Sequence, residues 1–232
     1  MESFLTIFQQ HLVILFIILS VSYLIGGINF SILATKRLYG QEDIRNMGSG
    51  NAGFTNVLRS AGKAPAIMTF IGDFAKGVLA IWISKNIARL DFSLVTNNEA
   101  MMYLMFLAGF ACVIGHIYPC FFGFRGGKGI LTGWAITLLI DWRIFFTVIL
   151  VFIFLLLFVK IVSVASIFAA ATYPVATFTF YYMDFNKFNG NIYYVLICTS
   201  IAFMTGLLVI VKHKSNIIRL FSGTENRINL KR

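Results

Sequence analysis

IFFTVILVFIFLLLFVK, residues 144–160, decides the fold: apart from Thr147, no polar side chain interrupts it before Lys160. A helix on the surface of a soluble protein needs a polar face, and this stretch has none. Further apolar stretches lie at 12–34, 64–84, 100–122, 129–140, 162–183 and 192–211. Most reach the roughly 20 residues that carry a helix across about 30 Å of hydrocarbon. Composition agrees, with 59% of the 232 residues hydrophobic, 12% charged, 25 Phe and 3 Pro. The expected fold is an all-α integral membrane protein with seven transmembrane helices. The fourth, Gly129 to Ile140, is short; at ~1.5 Å per residue it spans about 18 Å, so it is truncated, re-entrant or set where the bilayer is thin.

The first stretch follows Glu2, has no Lys or Arg before it, and shows no small-residue cleavage site before Lys36 and Arg37. It reads as a retained helix, not a signal peptide. Seven spans put the termini on opposite sides. With the N-terminus outside, the inner side collects fourteen of the 19 Lys and Arg residues: Lys36, Arg37, Arg45, Arg59, Lys63, Arg125, Lys128, Lys160, Lys212, Lys214, Arg219, Arg227, Lys231 and Arg232. Lys85, Arg89, Arg143 and Lys187 stay outside, and Lys76 lies within the second span. This asymmetry points to a cytoplasmic C-terminus.

The net charge of +10 does not call for nucleic acid, because the cations flank membrane spans where anionic lipids meet them. Membrane lipids are the expected partners. Cys112, Cys120 and Cys198 are odd in number, lie in apolar surroundings and show no metal-ligand spacing, and Cys112 and Cys120 would stand ~12 Å apart along one helix, so no disulfide is expected. No repeat or linker divides the chain, so residues 1–232 read as one polytopic membrane domain.

Three polar segments interrupt the hydrocarbon: GSGNAGFTNVLR at 48–59, FGFRGGKG at 122–129 and KHKSNIIRLFSGTE at 212–225. The charge-derived orientation places all three on the cytoplasmic side. In the first, Gly48, Gly50 and Gly53 match the spacing GxGxxG, but no strand precedes them, so a dinucleotide fold is excluded. The mechanics survive: glycines let backbone N–H groups turn toward an anion, and Ser49, Asn51, Thr55 and Asn56 add side-chain donors. Arg59 supplies a guanidinium fork suited to phosphate oxygens; the alternative is a turn with an interface-anchoring arginine.

The second segment lacks the full spacing of an ATP-binding P-loop. Gly126, Gly127, Lys128 and Gly129 nevertheless open onto the N-terminus of the short helix, where backbone donors and helix dipole favour an anion. His116 is either a base or a structural side chain. In the third segment His213, Asn216 and Arg219 recur every three residues, with Glu225 following. His213 suits a proton transfer and Asn216 the orientation of a hydroxyl; a snorkelling membrane-exit helix has the same composition. Ser163 and Ser166 offer hydroxyl donors or helix packing. Asp73 and Lys76 are expected to pair at i,i+3, since isolated charges there are costly.

Together, GSGN-x-G-x-TN-x-x-R, the G-H-x-x-P segment leading to F-x-GGKG, and H-x-x-N-x-x-R-L-x-x-G-T-E resemble the bacterial acyl-phosphate:glycerol-3-phosphate acyltransferase family (PlsY). The resemblance runs from about Tyr23 to Arg227 and includes Asp73, Lys76 and Gly77. Phe54, where the family commonly has a small residue, and Gly123, in a stretch often carrying lysine, depart from it.

The resemblance implies transfer of a fatty acyl group from acyl phosphate to the 1-hydroxyl of glycerol 3-phosphate. The products would be 1-acylglycerol 3-phosphate and phosphate, in the first step of bacterial phospholipid synthesis. It implies a multi-pass protein of the bacterial inner membrane with its active site facing the cytoplasm. Ser49, Arg59, Lys128, His213, Asn216 and Glu225 would form the active centre. Gly50, Asn51, Thr55, Asn56, Gly126, Gly127, Gly129, Ser163 and Ser166 would bind substrate, the second-loop glycines holding the acyl-phosphate head. Acyl phosphate is already activated, so no cofactor or metal is implied. The proton of the attacking hydroxyl goes either to His213 or to a substrate phosphate oxygen. The alternative function class is an organophosphate transporter, which an internal inverted repeat would support.

Overall fold

The computed structural model describes residues 9–38, 40, 42–188 and 190–228. Glu2, Lys231 and Arg232, used above for the first helix and the charge balance, lie outside these residues, as does the side chain of Lys187. The described residues are helical or irregular, with no strand among them.

Each of the seven apolar stretches is largely helical. Among the described residues six helices are long and apolar enough to cross a membrane: Leu12–Arg37, Lys63–Ala88, Asn98–Phe122, Trp142–Val159, Val162–Met183 and Ile192–Lys212. The seventh, Ile130–Ile140, is shorter. In chain order we label the principal helices α1 (Leu12–Gly27), α2 (Phe54–Ser60), α3 (Lys63–Ala88), α4 (Asn98–Ile117), α5 (Ile130–Ile140), α6 (Trp142–Val159), α7 (Val162–Met183), α8 (Ile192–Lys212) and α9 (Lys214–Phe221). The chain separates into two compact units, one ending at Leu139 and one beginning at Ile140.

In the first unit α1, α3 and α4 pack against one another. Small residues make this possible without a hydrophobic drive between helices in lipid. A Cβ at Gly26 would strike the backbone of Cys112, and one at Gly115 would strike the carbonyl of Tyr23. The first span is not continuous. Helical geometry stops at Gly27, Ile28 and Asn29 are extended, and the chain resumes as a short helical turn that widens into a π-helical one over Leu33–Leu38. Broken backbone inside a membrane must find polar partners within the protein. Here Asn29 Oδ1 accepts from Ile32 N at 3.1 Å, and Lys76 Nζ reaches the Ile28 carbonyl at 2.9 Å.

In the second unit α7 packs against both α6 and α8. Asp141 caps α6 by accepting from Arg143 N, Lys160 ends it in the left-handed conformation, and Asn191 caps α8. Pro174 sits inside α7, where Gly206 of α8 lets the backbones approach at Ala170. Trp142, Leu150, Phe154 and Phe158 project outward from α6, as expected of a lipid-facing surface. Arg143 is held by Asp141 and Asp184 at 2.6 and 2.8 Å, which joins the N-terminal end of α6 to the segment following α7.

Candidate active site

The segment 48–59 folds around Asn56. Its side chain is buried, its Oδ1 accepts from Ser49 N at 2.9 Å, and its Nδ2 faces the carbonyls of Met47 at 2.9 Å and Asn51 at 3.1 Å. The amide expected to bind substrate thus shapes the loop itself. Gly48 and Gly50 have φ of 56° and 69°, which a side chain rarely adopts. Ser49 between them is exposed at the loop apex. Gly53 leads into α2, which carries Thr55 and Arg59. Arg59 is exposed and its Nε turns back to the Thr55 carbonyl at 3.4 Å.

Arg45 ties this loop to the next one. Its Nη1 donates to the Phe122 carbonyl at 2.7 Å, while Nη2 pairs with Asp43 at 2.7 Å. The Arg45 hydrogen bond holds the Asp43 carboxyl below the usual carboxylate range, and Asp43 in turn raises Arg45. Sequence reasoning placed Arg45 only in the charge balance. Its acid partner two residues earlier was the visible signal.

The segment 122–129 hangs from the end of α4. Phe124 N reaches the Pro119 carbonyl, Gly126 N that of Ile117 at 3.1 Å, and Gly127 N that of His116 at 3.2 Å. Neither glycine tolerates a side chain. A Cβ at Gly126 would strike the His116 carbonyl, and one at Gly127 would meet His116 Nε2 and lie 2.6 Å from the carbonyl of Ala52. Gly129 has φ 86°, and its carbonyl accepts the helical bond from Gly133 N at 2.8 Å. The N–H groups of the first turn of α5 therefore have no intrahelical carbonyl to bond, the condition under which a helix N-terminus attracts an anion. Lys128 is half-buried beside them.

Asp73 and Lys76 form the expected pair, at 2.9 Å and almost fully buried, with His116 Nδ1 3.7 Å from the same carboxylate oxygen. His116 is buried as well.

In the second unit the tail gathers around Glu225. Oε1 accepts from Ser163 Oγ at 2.8 Å and Asn216 Nδ2 at 2.6 Å; Oε2 accepts from Arg219 Nε at 2.7 Å. Burial pushes this carboxyl up, yet the three donors and the Arg219 charge outweigh it, and the net direction is downward. Glu225 is therefore ionised at neutral pH and serves as an acceptor hub. Ser166 is buried one turn along α7 from Ser163. His213, buried between α8 and α9, places Nδ1 2.8 Å from the Val209 carbonyl. A carbonyl can only accept, so Nδ1 carries the proton, and in the neutral ring Nε2 is the basic nitrogen. Sequence reasoning missed Arg219 as the partner of Glu225; their joint presence in one tail was the signal available.

Comparison with known proteins gives a consistent result. The profile of the family described as glycerol-3-phosphate acyltransferase matches residues 16–223. The chain is 38% identical over 216 residues to the glycerol-3-phosphate acyltransferase of Clostridioides difficile, covering 93% of this chain and 96% of that one. It is 35% identical over 209 residues to that of Neisseria meningitidis serogroup B, covering 90% and 94%. A crystal structure of PlsY, an integral membrane glycerol 3-phosphate acyltransferase, in its glycerol 3-phosphate form superposes with a TM-score of 0.74 at 32% identity, covering 93% of this chain and 96% of that one. The lysophosphatidic acid form gives 0.73 at 30% identity, covering 93% and 95%.

Proposed function

As this chain belongs to the glycerol-3-phosphate acyltransferase family, we propose that it acylates the 1-hydroxyl of glycerol 3-phosphate with an acyl phosphate as donor. It is an integral membrane acyltransferase, and the products we propose are 1-acylglycerol 3-phosphate and phosphate, in the first step of bacterial phospholipid synthesis. The single observation that carries the donor assignment is the glycine loop at 126–129 opening onto the first turn of α5 beside Lys128. Such an arrangement favours a phosphate oxyanion.

In this reading Lys128, Gly129 and the first turn of α5 receive the acyl-phosphate head, and Gly126 and Gly127, whose N–H groups are bonded to the Ile117 and His116 carbonyls, shape the loop around it by lacking side chains. Ser49, Gly50, Asn51, Thr55 and Arg59 address the phosphate groups, with Asn56 shaping their loop. Asn216 orients the attacking hydroxyl, and Glu225, with Ser163, holds Asn216; Ser166 lies in the same α7 turn region. The hydroxyl oxygen attacks the acyl carbonyl carbon, the bond from that carbon to the phosphate oxygen breaks, and phosphate leaves. The hydroxyl proton passes to a phosphate oxygen of the substrate, so the protein supplies position and electrostatics. A second reading makes His213 the general base, and the Nδ1 bond to Val209 favours it by leaving Nε2 basic.

We further propose seven crossings, N-terminus outside, in the inner membrane with a cytoplasmic site. Six crossings would leave the tail after α8 on the face opposite the loops at 48–59 and 122–129. Seven bring all three to one face, and the distribution of Lys and Arg supports that arrangement. The short α5 must then complete a crossing.

The test is purified protein given a long-chain acyl phosphate and glycerol 3-phosphate in lipid vesicles. We expect lysophosphatidate and stoichiometric phosphate without ATP or coenzyme A. Movement of glycerol 3-phosphate across the vesicle without product would instead support transport and overturn the donor assignment.

A further inference from the structure

The buried face of α3 touches three parts of the first unit at once. Lys76 Nζ, 2.9 Å from Asp73 Oδ1, donates to the Ile28 carbonyl, the acceptor exposed by the break in the first span. The Asp73 carboxylate also accepts from the Phe30 backbone, just after that break. The Asp73 carbonyl accepts from Thr132 Oγ1 at 3.0 Å, which pins the first turn of α5. Gly77, one residue beyond Lys76, brings the same turn close, since a Cβ there would lie 2.8 Å from the Thr132 carbonyl and Ala135 Cβ. His116 then stands between this pair and the glycine loop: its Nδ1 faces Asp73, its Nε2 faces Gly127, and its carbonyl holds Gly127 N. Ala52, from the loop that carries Ser49, closes on Gly127 from another direction.

Two charges in a membrane-spanning segment are expensive even when paired, and an apolar pair of similar volume would serve helix packing equally well. These charges do more than pair: both also contact backbone at the break in the first span, and the helix face that carries them also holds the first turn of α5 and, through His116, the candidate phosphate loop. We propose that Asp73, Lys76 and His116 are positioning residues for acyl transfer, holding Gly126–Gly129 and the first turn of α5 in the conformation that receives the donor's phosphate. This rests on the reading that the loop holds the acyl-phosphate head. The three side chains do not themselves touch substrate.

The experiment compares the wild type with the double variant Asp73→Asn/Lys76→Met and with His116→Asn, all as full-length protein in vesicles. Removing both charges together leaves neither one buried without its partner. We expect the double variant to melt at a lower temperature than the wild type, because the Ile28 carbonyl loses its donor, while the KM of its folded protein for acyl phosphate rises at least about tenfold. The KM for glycerol 3-phosphate should stay within about twofold. His116→Asn keeps the backbone carbonyl that holds Gly127 and should show the same selective rise; if the double variant fails to fold, this variant decides alone. Unchanged KM for acyl phosphate in folded variants overturns the proposal. So does a loss of activity that follows only the fraction of folded protein with both KM values unchanged. If the wild type makes no product from acyl phosphate, the donor assignment fails and takes this inference with it, a result distinct from equal KM values in wild type and variants.

Discussion

Gly127→Ala is expected to abolish acyl transfer, with at least about a thousandfold loss of kcat/KM, while protein of normal elution profile is still recovered. The added methyl has no free direction. It meets His116 Nε2 on one side and lies 2.6 Å from the Ala52 carbonyl on another. His116 is buried and is 3.7 Å from Asp73, so it cannot simply swing away. Ala52 is itself fully buried. The loop must move, and donors misplaced by about 1 Å cost on the order of a hundredfold through orientation alone. Loss of one oxyanion-stabilising donor costs a further hundred- to thousandfold. Gly133→Ala, one turn into α5, is the control: a Cβ there meets nothing within 4 Å. In a helix interior that change is neutral or mildly favourable. Equal activity of Gly127→Ala and Gly133→Ala under saturating substrates and at low substrate would contradict the role given to the loop.

The second large effect is expected at Arg59. Its replacement by alanine should lower kcat/KM by roughly a hundred- to a thousandfold, the range for removing one preorganised charge-stabilising contact. Arg59 is exposed and makes one long hydrogen bond, 3.4 Å, to the carbonyl one turn back in its own helix. Little folding energy is therefore tied to it, and stability should stay near that of the wild type. Arg59→Lys should recover only part of the activity, because an ammonium keeps the charge but not the two-pronged geometry. Full activity in Arg59→Ala, measured by phosphate release, would show the arginine to be an interface anchor only.

How much of this was readable beforehand depended on distance along the chain. The spans were legible because hydrocarbon solvation acts on every residue of a run, and stretches such as 162–183 and 192–211 match their helices to within a residue. The glycine loops were legible because turns demand glycine locally. The Asp73–Lys76 pair followed from helical spacing. The break at Ile28–Asn29 was not read from the apolar stretch 12–34, since the groups that make it tolerable, Lys76 and Asp73, lie more than 40 residues away. For the same reason Ser163 did not reveal itself as a partner of Glu225, 62 positions distant. Asn56 was legible as polar but not as the hub of its own loop, because a donor that binds backbone and one that binds substrate have the same composition.

The account depends on the polar loops and the tail facing the same compartment, which requires α5, at 11 residues and about 16 Å by its rise, to complete a crossing. Single cysteines at the exposed positions Ser49, Arg125, Lys214 and Arg89, in a chain whose own three cysteines are replaced, measure this with an impermeant maleimide on oriented membranes. The expected result is labelling of Ser49→Cys, Arg125→Cys and Lys214→Cys from the inner face only and of Arg89→Cys from the outer face only. Labelling of Lys214→Cys from the face opposite Ser49→Cys would contradict the account.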